Sequence, residues 1–336
     1  MLSAALFATV PPVQLSDLRP WPVTPRAIAR TEHGLNNESY FVDADEGQFV
    51  VRIYRNTAEP ARVRNEHDLL ARLTVEELPF AVPLPLPAEG GDTLAVLESP
   101  QGPRLAALFP RIPGEPATLA MPHARLAGRA LAQLDAALGR LDLAVRAPAT
   151  IRDVHPLVPD PFEALEALDL GDAHEGVRDL FEEVEGAHAA LAGSLPRQIV
   201  HGDFAFINVL IDRGRVTGML DFEFAGPDIR ATDLATAMYV TAVRASEAER
   251  WSVLEAFTAG YRRSLPLDPL EVAAIPELMR RRSAVGIIHW IGRYRQGVAS
   301  RQDALDRIAR GAPLTRWLER NAARVAATAA GGFKPR

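Results

Sequence analysis

The segment His201–Phe222, HGDFAFINVLIDRGRVTGMLDF, constrains this chain more than any other stretch. It spaces three polar side chains: Asp203, Asn208 five residues on, and Asp221 thirteen after that. Apolar runs at Gln198–Val200, Val209–Ile211 and Val216–Leu220 surround them, broken by the turn Asp212-Arg213-Gly214-Arg215. The pattern predicts strand, loop, strand, turn, strand, with the polar groups at strand ends. Such a layout can gather two carboxylates and an amide in one small volume. Hard oxygen donors without a His or Cys cluster suit Mg2+.

At 336 residues the chain is long enough for two lobes, each with its own core. It holds no cysteine, which excludes disulfides, zinc-thiolate sites and cysteine nucleophiles. The first basic residue is Arg19, so Met1–Val10 has no basic n-region and a signal peptide is not expected. No apolar run approaches the ~18 residues of a membrane-spanning helix. A soluble, cytoplasmic protein without a membrane partner is expected. The net charge of −6 argues against a nucleic-acid partner. That average hides an asymmetry: from Ala231 onward there are 17 Arg/Lys against 10 Asp/Glu, a net of +7. The only lysine is Lys334, in the Gly-rich tail.

Residues 1–30 are proline-rich and short on pattern, with Trp21 and Ile28 as packing points. A hairpin follows, Ser39–Asp43 and Gln48–Tyr54, preceded by the polar turn Glu32–Ser39. That turn holds Gly34, Asn36 and Asn37, residue types that tolerate left-handed backbone and can present N–H groups to a phosphate. Neither a Rossmann fingerprint nor a Walker A loop is present. Ala61–Leu73 reads as an amphipathic helix with Glu66 near its middle, and Asp92–Glu98 and Arg104–Phe109 as strands. Beyond the stiff segment Pro110–Pro116 the pattern turns helical: Met121–Leu141, Asp160–Ala167, Asp172–Ala192, Thr232–Ala242, Ser246–Arg263 and Leu270–Arg295. Two last helices, Arg301–Arg310 and Leu314–Thr328, are expected on either side of Gly311 and Pro313.

A β-rich part with one helix, a proline connector, and a helical part carrying D-x-x-x-x-N and D-F together resemble the aminoglycoside phosphotransferase and choline kinase-like family. HGD stands where protein kinases have HRD, and DFE where they have DFG. The polar turn, HGDFAFINVL and DFEFAGPDIRATDLA look most like type II homoserine kinases. The resemblance implies an α+β, bilobal protein-kinase-like fold with a small β-rich N-lobe and a larger, mainly helical C-lobe. Residues 1–109 would form the nucleotide-binding lobe, 110–116 the hinge, and 117–336 the lobe with the catalytic and metal-binding loops and the acceptor site.

By the same resemblance Asp203 is the catalytic base, and Asn208 and Asp221 are ligands of Mg2+ on ATP. Protein kinases place a lysine in the strand position between Val51 and Ile53; here Arg52 stands there, expected to pair with Glu66. Arg55 is the alternative. Asn36 and Asn37 complete the nucleotide set. His201 would brace the loop, Asp233 would anchor it, and Glu223 would either face the site or support it. Only eleven residues separate Asp221 from Asp233, too few for a phosphorylated activation loop.

The implied reaction is transfer of the ATP γ-phosphate to a hydroxyl of a small molecule. The positive charge after Ala231 favours an acceptor with a carboxylate, so homoserine or another small hydroxy-amine or hydroxy-acid ranks first. A choline- or ethanolamine-like alcohol ranks second and a polycationic aminoglycoside third. A non-catalytic nucleotide-binding relative is the alternative from another class. Arg282, His289 and Arg293, on one predicted helix, are candidates for the acceptor pocket, against the simpler reading of a packed helix with Trp290 in the core. The sequence does not give the oligomeric state.

Overall fold

A computed structural model describes residues 13–31, 37–55, 57, 59–99, 102–141, 149–168, 170 and 173–332. The chain forms two compact units, Met1–Gly114 with Thr217–Glu223, and Glu115–Val216 with Phe224–Arg336.

The first unit is built on a five-stranded antiparallel sheet. Its strands are β1 (Pro25–Arg30), β2 (Glu38–Ala44), β3 (Gly47–Ile53), β4 (Ala95–Leu97) and β5 (Arg104–Pro110), in the order β1-β2-β3-β5-β4. The helix α1 (Pro60–Leu73) follows β3. Residues alternate faces along a strand, which settles where Arg52 goes. Phe49, Val51 and Ile53 enter one core with Trp21, Tyr40, Val42 and Leu108. Arg52 therefore turns to the other face, where Tyr54, Ala107 and Phe109 pack with Val63 of α1. β1 lies in the stretch expected to lack pattern. It is an edge strand opened by a proline, and its residues are exposed or half-buried, so no alternation marks it in sequence.

The second unit begins with β6 (Glu115–Pro116) and α2 (Met121–Leu138), then α3 (Pro161–Glu166), α4 (Ala173–Ser194) and β7 (Arg197–Val200). β8 (Val209–Asp212) and β9 (Arg215–Met219) form the predicted hairpin, and the chain passes into the first unit within β9. Returning, it adds β10 (Gly226–Ile229), α5 (Thr232–Arg244), α6 (Arg250–Arg262), α7 (Pro269–Arg295) and α8 (Arg301–Ala330). The two final helices expected from Gly311 and Pro313 are one continuous α8. Pro313 sits inside it despite the ~3 kcal/mol that an interior proline costs. Packing overrides the local signal: a Cβ at Gly311 would lie 2.9 Å from Ile287 Cδ1 of α7, so the glycine is a contact point rather than a break. Among the described residues no helix is long and apolar enough to cross a membrane.

The crossing of α2 and α6 sets the positions used below. A Cβ at Gly128 would fall 2.1 Å from the Phe257 carbonyl oxygen, and one at Gly260 would fall 2.1 Å from that of Arg125. Each helix thus offers a glycine to the other's backbone. Gly128→Ala or Gly260→Ala should lower unfolding free energy by about 1–3 kcal/mol, the usual range for overpacking. Urea denaturation measures this, and an unchanged midpoint would contradict the close crossing.

Candidate active site

The catalytic-loop candidate is built where β7 ends. β7 and β10 pair antiparallel, Gly226 against Val200 and Ile229 against Arg197. That register carries the start of α5, and with it Asp233, to the residues that follow β7. Asp233 is fully buried, and its carboxylate accepts from the backbone N–H of His201 at 2.6 Å and of Gly202 at 2.9 Å. Gly202 has φ +82°, and a Cβ there would meet the Phe224 carbonyl oxygen at 2.4 Å, so only glycine fits. His201 is buried and its Nδ1 accepts from the Asp203 N–H at 3.4 Å.

Between Asp203 and Asn208 the loop is pinned from below. Phe204 and Phe206 pack edge-on or tilted against Phe257 of α6, at centroid distances of 5.4 and 5.7 Å. Polar and aromatic residues thus point opposite ways from one short loop. The Asn208 amide nitrogen donates to the Asp203 carbonyl at 3.3 Å, which leaves the amide oxygen for another partner.

Asp203 accepts from Arg282 of α7. Two ion pairs dock that helix. Arg281 donates to both oxygens of Asp228 at 2.9 Å, and Arg230 Nε donates to the buried Glu271 at 2.8 Å. Arg282 is thereby held beside the loop. His289, one helical stretch on, stacks edge-on with Phe224 at 5.5 Å. Burial, helped by the charges of Arg293, His155 and Arg282, pushes it down to about 3, so its ring is neutral.

The first unit holds the other predicted residues. Arg52 Nη1 donates to the buried Glu66 at 3.2 Å and lies 3.9 Å from an Asp221 oxygen. Burial alone would lower the guanidinium, but the carboxylates of Glu66 and Asp221 outweigh it and keep Arg52 charged. His67 behind it is pushed down to about 4 by burial and by Arg52. Arg55 instead pairs with Glu38 at 3.3 Å. Asp221 has φ +72°, a left-handed value that aspartate tolerates better than most residues but that still marks a constrained position. Asn37 is buried, donating to Glu223 at 2.9 Å and accepting from the Arg55 N–H at 3.1 Å. Asn36 lies outside the described residues. The fold thus unites Arg52, Glu66 and Asp221 in one unit, and Asp203, Asn208, His201 and Asp233 in the other.

Residues 27–269 match the model of the APH family, described as a phosphotransferase enzyme family. The chain belongs to this family. It is a small-molecule kinase. A homoserine kinase of Acidiphilium cryptum is 28% identical over 283 residues, covering 81% of this chain and 84% of that protein. Among solved structures, amicoumacin kinase hAmiN, in complex with AMP-PNP, Ca2+ and Ami, superposes with a TM-score of 0.66 at 16% identity, covering 91% of this chain and 92% of that one. A microcompartment-associated aminopropanol kinase gives 0.61 at 20%, covering 91% and 94%. These likenesses show the protein-kinase-like α+β fold that the motifs implied.

One residue of this kinase escaped the sequence reading. Asp135 of α2 is fully buried; its Oδ2 accepts from the Tyr261 hydroxyl of α6 at 2.6 Å, and its carboxyl faces that of Asp233. Two buried carboxyls in contact cannot both ionise. Burial pushes both up, and Asp135 goes well above the carboxylate range because it also faces Asp233. Asp233 turns its oxygens to backbone donors, so the proton resides on Asp135. The surrounding charged and titratable groups are Tyr261, Arg230 and His201. The available signal was an aspartate on the apolar face that carries Leu131, Leu134 and Leu138.

A carboxyl raised in the folded state binds a proton that the unfolded chain releases. Its contribution therefore falls as pH rises from the unfolded value, about 4, towards the folded one. Asp135→Asn keeps a donor for Asp233 and an acceptor for Tyr261 without that proton. Its stability relative to the parent should improve as pH rises above the unfolded value of about 4, by at most ~1.4 kcal/mol per pH unit. Chemical denaturation across pH checks this, and a flat difference would contradict a protonated Asp135.

Proposed function

We propose that this kinase transfers the γ-phosphate of Mg2+-ATP to the hydroxyl of a small amino or hydroxy acid, with homoserine the leading candidate. The observation that carries the reading is the loop in which Asp203 is held by Asp233, Gly202 and the Phe204–Phe206 anchor. Phosphoryl transfer asks a protein for position and charge more than for covalent chemistry. A base fixed at both ends of its loop meets that demand.

Asp203 would orient the acceptor hydroxyl and take its proton, a contribution of about 10²–10⁴ in rate. Arg52, charged and braced by Glu66, would hold phosphate oxygens through its planar fork. The donor chemistry fits Mg2+. Asp221 offers carboxylate oxygens, and the Asn208 amide is turned so that its nitrogen is used within the loop and its oxygen is presented. Bound there, the cation would neutralise charge on the phosphates during transfer. Asn37, whose amide is engaged by Glu223 and the Arg55 N–H, would support the nucleotide site by positioning these two residues.

Homoserine is favoured by the 28% identical relative that bears that name and by the net positive charge after Ala231. A screen of ATP consumption over hydroxyl-bearing metabolites, including L-homoserine, choline and aminoglycosides, tests the reading. Asp203→Asn should cut acceptor-dependent turnover at least ~100-fold. If no acceptor raises turnover above that variant, the proposed reaction is wrong.

A further inference from the structure

The two arginines just before Arg282 on α7 have acids of their own: Arg280 pairs with Glu277, and Arg281 with Asp228. Arg282, next in the chain, has Asp203, the residue assigned above as base, as its ion-pair partner among the described residues. Its guanidinium also lies 5.9 Å from the centroid of Tyr239 of α5, and its buried Nε has no hydrogen-bond partner among the described residues. Arg307, on the facing α8, stands over Trp290 at 4.8 Å. The charges of Arg310, Arg282 and Arg244 bear on Arg307, and burial together with these like charges lowers its guanidinium. Among the described residues none of Arg244, Arg307 and Arg310 is ion-paired with a carboxylate.

Half-buried like charges repel, and such a group disfavours the folded state unless something neutralises it. Here three helices, α5, α7 and α8, contribute the charges; Arg282 is paired with Asp203, and on α8 the exposed Asp303 bears on Arg307 without forming an ion pair among the described residues. We propose that Arg282 and Arg307, with Arg244 and Arg310 at the exposed rim, form an anion subsite for the acceptor. The acceptor then carries a carboxylate or a phosphate besides its hydroxyl, and needs no ammonium group. This rests on the kinase reading above and narrows its acceptor.

The geometry also supplies an exchange. In the free protein Arg282 occupies an oxygen of Asp203. An incoming oxyanion competes for that guanidinium, and the more closely it engages the arginine fork the more fully Asp203 is released to the hydroxyl. The acceptor oxygen then bonds to the γ-phosphorus as the bond from phosphorus to the β,γ-bridging oxygen breaks. The hydroxyl proton passes to Asp203, and ADP leaves with the electron pair. Without an acceptor anion the base stays paired, which limits transfer to water.

The test uses the full chain with ATP and Mg2+ and four acceptors. They are L-homoserine, 4-hydroxybutyrate (the anion without the amine), glycerol 3-phosphate, and 3-aminopropan-1-ol (the amine without the anion). At least one of the amine-free anions should be phosphorylated with kcat/KM within about 10-fold of L-homoserine or above it, and at least ~100-fold above 3-aminopropan-1-ol, as expected for losing a charge-assisted contact. Which anion is better separates a carboxylate from a phosphate acceptor. Arg307→Gln should raise KM for the best anion about 10- to 100-fold, whereas Arg213→Gln, on the exposed β8–β9 turn, should not. An enzyme that prefers 3-aminopropan-1-ol, or an Arg307→Gln variant whose acceptor KM stays within about twofold, overturns the anion subsite and leaves the kinase reading standing. A protein that transfers phosphate to no acceptor loses both.

Discussion

The loop that carries Asp203 depends on one buried carboxylate. Asp233 accepts two consecutive backbone N–H groups, those of the buried His201 and the half-buried Gly202. A buried N–H without a partner costs about 1–3 kcal/mol, so the loop has a strong reason to keep this path. The path fixes the direction in which Asp203 leaves the turn. Gly202 makes it possible, because its backbone runs against the Phe224 carbonyl with no room for a side chain.

Burying Asp233 creates a second constraint. A lone anion in that environment would be far more costly than the bonds it makes. The structure answers with Asp135, whose carboxyl faces Asp233, is held protonated by burial and by that neighbour, and accepts from Tyr261. Tyr261 can arrive only because α2 and α6 cross at Gly128 and Gly260. The same α6 carries Phe257, which anchors Phe204 and Phe206. Helix crossing, buried proton and loop position are one connected arrangement. Arg52 follows similar logic in the other unit, held charged against burial by Glu66 and Asp221.

Much of this was legible in the residues. D-x-x-x-x-N and D-F carry the family resemblance at short spacing, and the family match with the solved structures shows the fold they implied. The Arg52–Glu66 pair was implied by the family resemblance, in a chain whose one lysine is Lys334. Other features have no local signature. Arg282 meets Asp203 across 79 residues of sequence, a contact set by how α7 docks through Arg281–Asp228 and Arg230–Glu271. β1 shows no alternation because its residues are not fully buried on either side. At α8, Gly311 and Pro313 gave the usual signal of a break, but contact with α7 carries the helix through.

The most direct measurement of this account is steady-state kinetics of Asp233→Asn, using whichever acceptor the wild-type kinase phosphorylates. The substitution keeps size and shape but turns one acceptor oxygen into a donor facing the Gly202 or His201 N–H. A loop positioned by Asp233 predicts that kcat falls by at least ~100-fold while KM for ATP stays within about threefold and the protein remains folded. A variant with parental kcat would contradict the claim that this buried carboxylate places Asp203, the proposed base.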